Sequence, residues 1–181
     1  MGELRRLGAT LAVAVALAPA AAHADPDFGA HDVRTVFFIS KSDDRNRVDY
    51  GVRLDARCQP VGETPVYAYW HRFEPGQPIY GDLNSMDRRV YGVRQQRVHE
   101  RNASGTWIEI RLAAVTDERI LILVRPGDDG CVAAARIQVR GRDALLDHVH
   151  VQLARLFGVE HVTVHGRDPD TGAEVTERRT P

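Results

Sequence analysis

The sequence predicts an all-β protein, a single antiparallel β-sandwich or small β-barrel of about eight to nine strands with one short helical turn. Three observations predict it. Apolar and polar residues alternate with period two in several segments. These segments are short and are punctuated by clusters of Gly, Pro, Asn and Asp. Helical spacing competes with strand spacing in one stretch alone, Leu145 to Leu156.

Val33 to Ser40 is rich in Val, Phe and Ile on both faces and reads as a strand buried on two sides. After the polar turn Ser42 to Arg47, Val48, Tyr50, Val52, Leu54 and Ala56 alternate with Asp49, Gly51, Arg53 and Asp55. That makes a half-exposed strand, paired with the first as a hairpin. Val66 to Phe73 is the next strand, and Pro75-Gly76-Gln77-Pro78 marks a loop. Ser85 is placed to cap a helical turn through Arg89, with Asp87 near its positive end. Tyr91 to Val98 resumes as a strand, and Ile108, Ile110 and Leu112 alternate with Glu109 and Arg111. Arg119 to Arg125 is a central apolar strand, and the turn Pro126 to Gly130 joins it to Cys131–Arg140 as a hairpin. Leu145, Val149, Leu153 and Leu156 would share a helical face, whereas Val149, Val151 and Leu153 would share a strand face. Val159 to His165 is a strand, and a turn at Asp168 to Gly172 leads into a last short one.

Composition narrows the function classes. Of 181 residues, 24 are basic and 25 acidic, for a net charge of −1, which argues against a polybasic nucleic-acid binder. A 43% hydrophobic content argues against disorder. Arginine supplies the basic residues except for Lys41, a bias read as that of a GC-rich bacterial genome. Arg5 and Arg6, an uncharged stretch from Leu7 to Ala22 and the small-x-small site Ala22-His23-Ala24 predict a cleavable export signal over residues 1–24, cut between Ala24 and Asp25. The expected mature chain has a loose lead-in at 25–32 and a single β-rich domain at 33–181. It is expected to be periplasmic or secreted, with no transmembrane anchor, because no later stretch is apolar enough to span a bilayer. Removing 24 of 181 residues leaves 157, and loss of Glu3, Arg5 and Arg6 moves the charge from −1 to −2. In an oxidising compartment Cys58 and Cys131 are expected to pair, closing a loop worth about 4 kcal/mol. Two buried free thiols or a redox pair are the alternatives, although no C-x-x-C is present.

Several motifs stand in a fixed order: Phe37-Phe38-Ile39, then Asp44-Arg45-Asn46-Arg47-Val48-Asp49-Tyr50, then Tyr69-Trp70, then Val90-Tyr91-Gly92. Gly166, Asp168, Thr171, Gly172, Val175 and Glu177 close the series. In this order the chain resembles a family of secreted bacterial proteins described as domain of unknown function 4833. Asp44 stands where the family pattern has Asn, and Val90 where it has Ala. The resemblance implies a secreted β-rich domain and favours a strand at Leu145–Leu153; it supplies no activity and no catalytic residue. Turn and core roles account for most of the motif residues.

Candidate chemistry is sparse. Tyr67, Tyr69, His71 and Phe73 share one face of their strand, and Val66, Ala68, Trp70 and Arg72 the other. An aromatic face with polar handles suits a ligand groove, and Tyr67, Tyr69, His71 and Arg72 are the expected ligand-binding residues. A strand simply buried on both sides is the competing reading. His148, His150 and His161 would lie on one surface if their strands pair, as imidazole ligands to Zn²⁺ or Cu²⁺ do, but no carboxylate or cysteine companion accompanies them. No G-x-S-x-G, phosphate loop or dinucleotide fingerprint occurs, and no cofactor is expected. Two functions are therefore carried forward. One is a non-enzymatic envelope accessory that binds a glycan, small molecule or protein partner. The other is a hydrolase with a site around Asp44, Asn46, His71 and Arg72, which requires His71 to meet a carboxylate and to face an open pocket.

Overall fold

The computed structural model describes residues 28–29, 31–42, 44–75, 77–115, 118–155 and 158–180. The expected export segment, its Ala24–Asp25 cleavage point, part of the lead-in, Asp43 and Leu156 lie outside the described residues.

The chain first builds an antiparallel arm. β1 (Val33–Lys41) pairs with β2 (Arg47–Val52), β2 with β3 (Val66–Glu74), and β3 with β4 (Gln77–Asp82). Helix α1 (Ser85–Tyr91) then leads into a second antiparallel arm. Its strands are β5 (Val93–Val98), β6 (Thr106–Leu112), β7 (Ile120–Gly127) and β8 (Gly130–Val139), each paired to the next. β9 (Arg142–Leu153), β10 (Val159–Arg167) and β11 (Glu174–Arg179) complete the chain.

β9 joins the arms because it is twelve residues long. Along one edge its first residues pair antiparallel with β8, and His148–Val151 then pair parallel with Phe38–Lys41 of β1. Its other edge pairs antiparallel with β10, which in turn carries β11. The result is one continuous mixed sheet of eleven strands that does not close. In place of the expected antiparallel sandwich or small barrel of about eight to nine strands stands this open sheet, with eleven strands and a parallel contact between β1 and β9. β4, placed in a loop by its neighbouring prolines, is an edge strand, where a proline is tolerated. Leu145–Leu153 is strand, as the β-branched run and the family resemblance favour.

Both arms turn alternate side chains inward onto one shared core. Phe37 and Ile39 of β1, Val48, Tyr50 and Val52 of β2, Ile108, Ile110 and Leu112 of β6, and Ile120, Ile122 and Val124 of β7 all belong to it. Phe38 is only half-buried, so the first strand is not buried on both sides as its composition suggested. Where β3 and β5 approach, the Gln96 side-chain amide stands in for a ladder: it accepts from Val66 N at 2.9 Å and donates to Val66 O at 2.7 Å. A Cys58–Cys131 disulfide ties the β2–β3 connection to the start of β8. The N-cap of α1 is Asn84, one residue before the expected Ser85, and its Oδ1 accepts from the amides of Met86 and Asp87. The helix reaches Tyr91, whose carbonyl accepts from Tyr50 Oη at 2.7 Å.

Candidate functional site

The outer face of the first arm, turned away from the core, carries a continuous band of rings and charges. Strand register sets it. His71 of β3 lies between Tyr80 of β4 and Arg47 of β2, which stands beside Ser40 of β1 and, across the parallel ladder, His150 of β9. In the adjoining row Tyr69, Asp49, Phe38, His148 and His165 follow one another from β3 to β10.

Asp49 is the anchor of this face. It is 1% exposed, and burying a carboxylate demands partners. Arg47 donates through Nε to Oδ1 at 2.7 Å and through Nη2 to Oδ2 at 3.3 Å. His71 Nδ1 lies 3.1 Å from Oδ2, and Thr35 Oγ1 donates to the same oxygen at 3.0 Å. Tyr69 is 1% exposed and donates to Arg34 O at 2.6 Å. Burial pushes the phenols of Tyr67 and Tyr69 upward, so both stay protonated through the physiological range. Stacking continues the band: His71 lies on Phe73 at 4.3 Å, Phe38 on His148 at 4.8 Å, and His148 on His165 at 4.2 Å. Burial lowers the pKa of His165, and the neighbouring His148 and His150 add to the effect.

The expected ligand set divides. Tyr67, Tyr69 and His71 share the outer face, while Arg72 projects from the opposite one, its guanidinium 6.0 Å over the Trp70 ring. The hydrolase set is not assembled either. Asp44 Oδ1 accepts from Asn46 N at 2.9 Å, and Asn46 Oδ1 accepts from Phe73 N at 3.0 Å, so both side chains are engaged in fixing the turn before β2. The carboxylate that His71 meets is Asp49 instead. The sequence placed Asp49 on the exposed face of an alternating strand, and nothing local signals that β1 and β3 side chains cover it.

The pairing of β9 with β10 places His148, His150 and His161 on one face, but spreads them along it, with His161 opposite Gln152 and His150 opposite Thr163. His165, not His161, lies opposite His148. His150 Nδ1 shares a hydrogen bond with Ser40 Oγ at 3.0 Å, and Arg178 Nη2 donates to His161 Nδ1 at 3.0 Å. Among the described residues no group of three or more side chains is gathered to hold a metal ion. Sequence reasoning also missed a groove of about 720 Å³ on the second arm, floored by Trp107 and Leu121 and edged by Glu109, Arg119 and Arg136. Its residues come from four strands, β6 to β9, and from the connections before β6 and β7, and share no local motif.

The family model for a domain of unknown function (DUF4833) matches residues 37–178 of the chain. The chain belongs to the DUF4833 family. No curated protein and no solved structure shows significant similarity to it. The motifs that suggested DUF4833 have clear structural work in this member. Tyr50 reaches Tyr91 as described, and Trp70 Nε1 donates to Asp87 Oδ2 at 2.8 Å. Asp168 Oδ1 accepts from the amides of Asp170 and Thr171 and from Thr171 Oγ1, shaping the turn in which Gly172 takes φ of 71°. Glu177 Oε2 accepts from the backbone N of Arg140, a residue at φ of 52°, and so pins the β8–β9 turn.

Proposed function

We propose that this DUF4833 protein is an exported, non-enzymatic binding module of the bacterial cell envelope that takes a glycan on the outer face of its first arm. One observation carries the reading: a band of exposed and half-buried rings, Phe73 and Tyr80 on one side of Arg47 and Phe38, His148 and His165 on the other, lies on five strands over an Arg47–Asp49–His71 support. Stacked on one another, Phe38, His148 and His165 turn their edges outward as an apolar strip for the apolar face of a pyranose, and a support already fixed by hydrogen bonds loses little entropy on binding. The N-terminal export pattern supports the compartment.

Titration calorimetry of the mature chain with chitotetraose and with tetragalacturonate tests the reading. Wild type binds one of them, and the Phe38→Ala/His148→Ala double variant binds about tenfold more weakly. Equal binding by both proteins, or none by wild type, removes the support. The buried Asp49–His71 pair favours a second reading, water activation in a hydrolase. Turnover of chromogenic esters or glycosides that disappears in His71→Gln would replace the binding reading with that one.

A further inference from the structure

The innermost end of the band is occupied by the protein itself. Phe28, from the segment before β1, lays its half-buried ring against three tyrosines: 4.9 Å from the Tyr69 ring, 5.6 Å from Tyr80 and 6.1 Å from Tyr67. The Arg34 guanidinium covers it at 4.4 Å. Among the described residues no backbone–backbone hydrogen bond of Phe28 accompanies these contacts, and a local turn is closed by Asp32 N donating to Gly29 O at 3.1 Å. The surroundings are less apolar than a phenylalanine needs. Tyr67 Oη is buried beside the Asp32 carboxylate. His71, 9% exposed and packed on the same Tyr80 ring at 4.7 Å, has a buried Nε2 with no partner among the described residues. With Nδ1 bonded to the Asp49 carboxylate, the neutral imidazole carries its proton on Nδ1 and offers Nε2 as an acceptor. A benzyl ring offers that nitrogen no donor.

We infer that Phe28 is an internal stand-in for a ring of the ligand, and that the box of Tyr67, Tyr69, Tyr80 and Arg34 is a pyranose subsite masked by a displaceable N-terminal strap. A pyranose presents apolar faces to the tyrosines and hydroxyls that donate to His71 Nε2 and accept from Tyr67 Oη. This inference rests on the glycan reading above and deepens it by naming one subsite and its competitor. A site occupied by its own chain binds with an affinity reduced by the fraction of time it stands open.

Two measurements on the mature chain test it. The first compares oligosaccharide affinity of wild type, Phe28→Ala and Phe28→Leu by calorimetry, with circular dichroism melting as the check on folding. The expected result is binding about tenfold tighter in Phe28→Ala, with Phe28→Leu between the two. Tyr67→Phe in the Phe28→Ala background should return much of that gain. The second measurement follows 4-fluorophenylalanine at position 28 by fluorine NMR, where exchange between docked and free forms is expected, with ligand driving it to the free form. Unchanged affinity in Phe28→Ala, or a Phe28 signal that stays docked with ligand bound, overturns the strap and leaves the glycan reading standing. If no protein binds any oligosaccharide, the glycan reading falls, and a Phe28 signal without exchange then overturns the strap as well.

Discussion

At the scale of single residues, the outer face is governed by one buried charge. Asp49 is held by Arg47, His71 and Thr35, and removing the carboxylate leaves Arg47 and His71 without their common partner. Asp49→Ala should lose about 3 kcal/mol of stability in urea unfolding, against a few tenths for an exposed aspartate such as Asp129. His165 makes stability depend on pH. Its folded pKa is lowered, so the unfolded chain binds the proton more readily. Its contribution is complete above the ordinary value of 6.5 and is lost as pH falls below it. The melting temperature should therefore drop between pH 7 and pH 5, and the drop should be smaller in His165→Gln. The aromatic alternation of Tyr67, Tyr69 and His71 was legible in the sequence because period two puts them on one face. Phe28 was not, because its contacts depend on how the chain turns back before β1.

At the scale of elements, side chains finish what backbone ladders leave open. Gln96 supplies both hydrogen bonds that Val66 would otherwise take from a neighbouring strand. Gln96→Ala should cost about 2 kcal/mol, since it strands one donor and one acceptor, and should speed amide exchange at Val66 selectively. The hairpins β1–β2 and β7–β8 were legible because short polar turns separate runs of apolar residues, whereas β9–β10 depended on Leu145–Leu156 being strand, which spacing alone left open. β4 was not, because Pro75 and Gly76 read as a loop and an edge strand carries no strong apolar pattern. The parallel contact of β1 with β9 has no local signature, and this long-range register is what places Phe38 on His148 and joins the two halves of the candidate site.

At the scale of the whole molecule, β9, paired to both arms, and the Cys58–Cys131 bridge across 73 residues of sequence join Gln96 in holding the arms together. Replacing both cysteines with serine should lower stability by about 4 kcal/mol in the chain-entropy model, and reduction of wild type should reproduce the loss in the same unfolding assay. The single-core architecture and the disulfide follow from composition and cysteine count, whereas the open, mixed topology follows from contacts that composition does not encode. The shared strand also sets a timetable. β1 cannot complete its pairing until residues 148–151 exist, and ribosomes supply those more than a hundred residues later. Topologies dominated by such distant pairings fold in milliseconds to seconds, far slower than helical bundles. A newly made chain therefore spends its first moments as an unfinished hairpin arm, with the edge of β1 that β9 will cover still unpaired.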